Sequence, residues 1–198
     1  ATGWKNEPEI LPMLKQLVES DDDNSDVRQE AVRQLAIAWK DEPEILPMLK
    51  QLVQSDDDRW VRQIAVQQLA TGWKNEPEIL PMLKQLVESD DDNSDVRQEA
   101  VRQLAIAWKD EPEILPMLKQ LVQSDDDRWV REQAILQLAT GWKDEPETLP
   151  MLKQLVQSDN KFLRQTVVQK LATGWKHEPE ILPMLKQLVE FLDDVSNP

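Results

Sequence analysis

The residues from 1 to 35 recur without a single change at 70 to 104, as the string ATGWKNEPEILPMLKQLVESDDDNSDVRQEAVRQL. Residues 36–69 and 105–138 match each other except at Gln63/Glu132, Ile64/Gln133, Val66/Ile135 and Gln67/Leu136. A more divergent copy runs over 139–171, and a sixth is cut short within 172–198. The period alternates between 35 and 34 residues, so two copies make a larger unit of 69. A period in the range of about 20–50 residues means that each copy is one supersecondary unit whose apolar face is buried by its neighbours. The 198 residues therefore read as a single repeat domain, with units at 1–35, 36–69, 70–104, 105–138, 139–171 and 172–198.

Each copy predicts two helices. In helix A of the first copy, Ile10, Leu11, Leu14, Leu17 and Val18 fall on one face at helical spacing, with Lys15, Gln16 and Glu19 opposite. Asn6, with Glu9 three residues on, has the form of a capping box that starts this helix, and Asp41, Asn75, Asp110 and Asp144 repeat it. Pro8 suits a first turn; Pro12 lies deeper on this reading and predicts a kink. Helix B follows an aspartate-rich turn. On a helical wheel Val27, Ala31, Leu35, Ala38 and Trp39 cluster on one side. Short loops and faces that lack a complete core make stacking of the copies obligatory.

LPMLKQLV, then SDDD, then VRQEAVRQL resembles the HEAT-repeat pattern, with Val27, Arg28, Ala31 and Leu35 at its diagnostic positions. The likeness covers essentially the whole chain. It implies an all-α fold, a right-handed α-solenoid of antiparallel helix pairs. The W-K-[DN]-E-P-E-x-L-P link is further similar to repeat arrays attached to bacterial NACHT-type signalling ATPases, where they are thought to act as sensors or scaffolds. No P-loop occurs in this chain.

The copies differ from one another at an ordered set of positions. Asp26/Trp60/Asp95/Trp129/Phe162 is followed by Glu30/Ile64/Glu99/Gln133/Thr166 and by Arg33/Gln67/Arg102/Leu136/Gln169. A last row, Ile37/Thr71/Ile106/Thr140/Thr173, continues the same stripe. Steps of four, three and four residues place it opposite Leu35, on the solvent side of helix B. The resemblance makes this the side that lines the groove of a HEAT-like stack, and exposed Trp side chains are favoured interface anchors. The candidate binding residues are those of the first three rows. Two other readings of Trp60 and Trp129 stay open: self-association, and a staple folded back against helix B.

The remaining series read as structural. Trp4, Trp39, Trp73, Trp108, Trp142 and Trp175 recur once per copy beside the apolar face, where they suit packing between units. Arg28, Arg62, Arg97, Arg131 and Arg164 lie towards the buried side and need acceptors, for which the turn aspartates are the obvious source. Asp21–Asp26 resembles a calcium loop only faintly, without its Gly or terminal Glu.

A formal charge of −15 disfavours nucleic acid and anionic membrane surfaces as ligands. With no Cys and His177 as the single histidine, zinc sites and Cys/His nucleophiles are unavailable, and no cofactor is expected. The expectation is a non-catalytic cytoplasmic protein, excised from a longer one, that binds another protein or peptide. A self-associating structural module is the alternative, as a homodimer or by end-to-end stacking, with Leu188, Val189, Phe191 and Leu192 available at the C-terminal end. Phycobilin lyases share the V-R-x-x-A pattern and are the enzymatic outlier.

Overall fold

A computed structural model describes residues 7, 9–20, 25–89 and 93–187. Asn6, Pro8, Trp4, Asp21, Asp22, Asp23, Leu188, Val189, Phe191 and Leu192 lie outside the described residues. The chain forms two compact units, residues 1–110 and 111–198. In the first, α1 (Ile10–Glu19), α2 (Ser25–Ala38), α3 (Ile45–Ser55), α4 (Arg59–Gly72), α5 (Ile79–Glu88) and α6 (Ser94–Ala107) make three A–B pairs. The second holds α7 (Ile114–Ser124), α8 (Arg128–Gly141), α9 (Thr148–Leu155) and α10 (Lys161–Gly174), followed by helical residues 181–187. No strand occurs among the described residues.

Within each pair the A and B helices pack on each other across a short turn, which forces them antiparallel. Pairs are joined mainly through their B helices: α2 packs on α4 and α4 on α6 in the first unit, α8 on α10 in the second. This is the stacked helix-pair arrangement of an all-α solenoid.

Helical periodicity accounts for the core. Helix A contributes Ile45, Leu49 and Val53 in α3, each at most 1 % exposed, and Ile79, Leu83 and Val87 repeat them in α5. Helix B contributes Val61, Ala65, Val66 and Leu69, all fully buried. Each large aliphatic side chain so placed contributes about 1.5–3 kcal/mol of burial. Trp39, Trp73, Trp108, Trp142 and Trp175 are buried at the C-terminal ends of the B helices, where the backbone N–H of Trp73 donates to the Leu69 carbonyl at 2.9 Å. Lys40 of one copy lies over the Trp73 ring of the next, 5.7 Å from its centroid, and Lys143 lies over Trp175 in the same way.

The link differs from the expected capping box. Glu42 N–H donates to the Trp39 carbonyl at 3.0 Å and Ile45 N–H to the Glu42 carbonyl at 3.1 Å, so the segment folds as consecutive tight turns. Helix A then starts at Ile45, with Glu44 already in right-handed helical conformation and no side-chain cap. Asp41, Asn75, Asp110 and Asp144 are exposed residues of these turns and cap nothing. The later start also removes the ground for the predicted kink. Pro12 and Pro47 are third residues of α1 and α3, among the first four positions whose N–H groups have no intrahelical acceptor.

The arginine series is structural, with a contact set wider than expected. Arg28 Nε donates to the Val18 carbonyl at 3.1 Å while its Nη2 pairs with Asp56 of the next copy. Arg62 Nε reaches the Val53 carbonyl at 3.0 Å, Arg97 Nε the Val87 carbonyl at 3.0 Å, and Arg131 Nε the Val122 carbonyl at 3.2 Å. These four arginines thus each satisfy an orphan carbonyl at the end of their own helix A, whereas Arg164 Nη1 reaches the Ser158 carbonyl at 2.6 Å, beyond the end of α9.

Candidate interaction face on helix B

The turn before each B helix decides how its first side chains point. Asp58 Oδ1 accepts the Trp60 N–H at 2.8 Å, and Asp127 Oδ1 accepts the Trp129 N–H at 2.7 Å, as N-caps. Asn160 does the same for Phe162 at 3.0 Å. Asp56 Oδ1 accepts from the Asp58 N–H at 2.9 Å, so the turn aspartates are occupied as turn-former, cap and arginine partner. Capping locks Trp60 and Trp129 at the second helical position with their rings outward, 46 % and 43 % exposed, and Phe162 is 50 % exposed.

A guanidinium lies on each ring. Arg59 sits 4.8 Å from the Trp60 centroid and Arg128 4.4 Å from that of Trp129. Their other contacts diverge. Arg59 Nη1 lies 2.8 Å from Asp95 Oδ2, on the next B helix. The aligned residue after Trp129 is Phe162, and Arg128 lies 4.3 Å from its centroid, between two aromatic rings.

The other candidate residues divide by exposure. Asp26, Glu30 and Gln169 are exposed; Arg33, Ile64, Gln67, Asp95, Glu99, Arg102, Gln133 and Leu136 are half-buried. Thr166 is buried, 6 % exposed, and its hydroxyl donates to Glu132 Oε1 at 2.8 Å. In α6, Arg102 grips Glu99 through Nε at 2.9 Å and Nη2 at 2.6 Å, and Gln103 adds a third bond at 2.8 Å. The hydrogen bonds that Arg102 donates to the Glu99 carboxylate raise the Arg102 pKa above its ordinary value. In α2 the same pair is looser, with Arg33 Nη1 3.4 Å from Glu30 Oε2. Below these rows Ile37 and Ile106 are 69 % and 59 % exposed.

Arg59, Arg128 and Glu132 were not among the residues singled out from sequence. The signal for the arginines was present, since Arg-Trp replaces Asn-Ser-Asp in both even copies. Their partners depend on which copy follows, and that is a property of the stack. Chemically the face offers aromatic planes, guanidinium edges and amide side chains, which suit recognition of a macromolecule. No group of His, Cys, Asp and Glu among the described residues is arranged to hold a metal ion. No helix among them is long and apolar enough to cross a membrane.

The comparisons agree with this architecture. A solved structure of the Escherichia coli protein YibA superposes with a TM-score of 0.59 at 18 % identity, over 92 % of this chain. This chain spans 65 % of that one. No curated protein matches in sequence. The family model described as HEAT repeats matches residues 1–70, 61–139 and 79–172, and with most of its length matched the chain belongs to the HEAT repeat family.

Proposed function

We propose that this chain is a non-catalytic interaction module that holds a partner protein against the outward face of its B helices. HEAT repeats in general mediate protein–protein interaction or scaffolding. The observation that carries the specific reading is the exposure of Trp60 and Trp129, 46 % and 43 %, each with an arginine on its ring. Trp and Arg are the side chains most enriched at interface hot spots, and here the two occur together at the head of each of these B helices. Apart from the buried Thr166, the stripe of copy-to-copy substitutions lies on exposed or half-buried positions of this face, as expected where copies diverged for contact. Attachment to a NACHT-type signalling ATPase in a cytoplasmic sensor rests on the likeness of the W-K-[DN]-E-P-E-x-L-P link. A bilin-handling role has only the V-R-x-x-A likeness behind it, and a bilin titration without an absorbance shift would dismiss it.

A second reading is a self-associating repeat module, in which the exposed Trp60 and Trp129 rings meet a second copy of the chain.

The two readings separate in one experiment. Trp60→Ala/Trp129→Ala is compared with the wild type by light scattering after gel filtration and by crosslinking capture. Loss of a captured partner at unchanged mass and helicity supports the interaction face. Loss of a wild-type oligomer in the variant means that the stripe is a self-assembly surface instead.

A further inference from the structure

We infer that the Trp129–Arg128–Phe162 stack is a receptor for an acidic side chain of the partner protein, and that Arg128 is its anchor. The inference rests on the interaction face proposed above and narrows the partner's chemistry. Its ground is a comparison within the chain. Arg59 and Arg128 occupy the same place in near-identical copies, each the first residue of a B helix, each over the Trp that follows. Arg59 is satisfied by the Asp95 carboxylate at 2.8 Å. The following copy offers Arg128 a Phe where Asp95 would stand, so among the described residues no carboxylate or carbonyl takes its donors.

A guanidinium has two π faces and an edge of five N–H donors. The rings of Trp129 and Phe162 lie 4.4 and 4.3 Å from the Arg128 guanidinium, and among the described residues no acceptor is bonded to its N–H edge. Aromatic cover removes part of the hydration that otherwise weakens an exposed ion pair, and it holds the plane still. The fitting ligand is therefore a carboxylate presented edge-on, with an apolar group beside it to lie on the rings. Asp95 on Arg59 shows within this protein that a carboxylate is accepted there. Asp57 and Asp58 precede Arg59 just as Asp126 and Asp127 precede Arg128, so neighbouring acids do not close such a site. The overall charge of −15 works against acidic partners at long range, which leaves this anchor a short-range selector that needs the apolar contact as well.

The test follows the Arg128 Nε–H resonance of the full chain by NMR during titration with a blocked Leu-Glu-Phe-Gly peptide. Its Leu-Gln-Phe-Gly counterpart and sodium acetate serve as controls. The expected result is a saturable shift with the Glu peptide, at an affinity about fivefold above the Gln peptide, and no comparable shift with acetate at equal concentration. Two swaps complete it. Phe162→Asp supplies an internal carboxylate and is expected to abolish the response, while Asp95→Phe is expected to make the Arg59 resonance respond as well. Phe162 is half exposed and Asp95 half-buried, so unchanged circular dichroism is expected for both. No shift at Arg128, equal shifts with Glu and Gln peptides, or an equal response to acetate overturns the inference. So does an Asp95→Phe variant whose Arg59 stays silent. Should any of these occur while Trp60 and Trp129 are still needed for partner capture, the interaction face stands and only its acidic selectivity falls.

Discussion

The Arg28 guanidinium of the first helix pair is paired with the Asp56 carboxylate at the head of the next B helix, with side chains 15 % and 7 % exposed. The same arginine holds the last turn of its own helix A through the Val18 carbonyl at 3.1 Å. One side chain thus joins helix A, helix B and the following copy. Arg28→Ala would leave both acceptors without their donor, and a drop in stability of about 3 kcal/mol is expected in urea unfolding. Arg28→Lys should recover less than half, because a single ammonium cannot serve a carbonyl and a carboxylate in fork geometry. Loss of under 1 kcal/mol in the alanine variant would show that the pair is not a structural tie.

A second series of ties runs from helix A to the link of the next copy: Lys15 to Glu44 at 3.0 Å, Lys50 to Glu78 at 2.9 Å, and Lys153 to Glu180 at 2.7 Å, with Lys119 to Glu147 between. The hydrogen bond from Lys119, and then its charge, hold the Glu147 carboxyl below the ordinary glutamate range. A carboxyl depressed in the folded chain contributes stability that is present above its unfolded pKa and is lost as pH falls through its folded one. Glu147 is exposed, so the contribution is small and the titration itself is the thing to measure. Carbon-detected NMR should place the Glu147 midpoint below those of free glutamates, and Lys119→Ala should return it to them. A Glu147 midpoint insensitive to that substitution would contradict the pairing.

Much of this architecture was legible because the chain repeats itself. The two faces of Ile45–Ser55 and of Arg59–Gly72 follow from apolar spacing, and Trp73 recurs at a fixed distance from the buried Leu69. The link was misread because Asp41 and Glu44 have the spacing of a capping box, while the chain closes Trp39 to Glu42 and Glu42 to Ile45 as successive turns. Local propensity does not separate these two solutions; packing Trp39 into the core does. The direction of Trp60 was open for a similar reason, since a staple and an outward ring have the same sequence and the Asp58 cap decides. Arg59 and Arg128 could not be ranked from sequence, because one meets Asp95 and the other Phe162 only after the copies stack.

The C-terminal ends of the B helices offer a gain in stability. Gly72 and Gly174 close α4 and α10 without positive φ, where the first and third B helices end on Ala38 and Ala107. A Cβ on Gly174 would meet nothing within 4 Å, and one on Gly72 only the Lys40 Cε at 3.9 Å. Helix formation costs less backbone entropy with alanine, so Gly174→Ala should stabilise by about 0.5–1 kcal/mol. Thermal unfolding checks this, and a lowered midpoint would mean that the helix end needs a conformation alanine resists.

Thr148 offers a second gain by a different route. It is 0 % exposed, and its Oγ1 has no hydrogen-bond partner. Its backbone N–H is satisfied by the Glu145 carbonyl at 3.0 Å, so only the hydroxyl is stranded. The other copies put isoleucine here: Ile45, Ile79 and Ile114 are fully buried, and Ile181 is 2 % exposed. A buried hydroxyl without a partner costs about 1–3 kcal/mol. Thr148→Val removes the hydroxyl at nearly constant volume and should recover most of that cost. Thr148→Ile adds a methylene that the identical setting of Ile114 shows can be accommodated, for a further gain of about 0.8 kcal/mol. Urea midpoints should therefore rise in the order Thr, Val, Ile. If Val helps and Ile does not, the pocket around α9 has closed on the smaller side chain; if neither helps, the hydroxyl has found an acceptor and is not stranded.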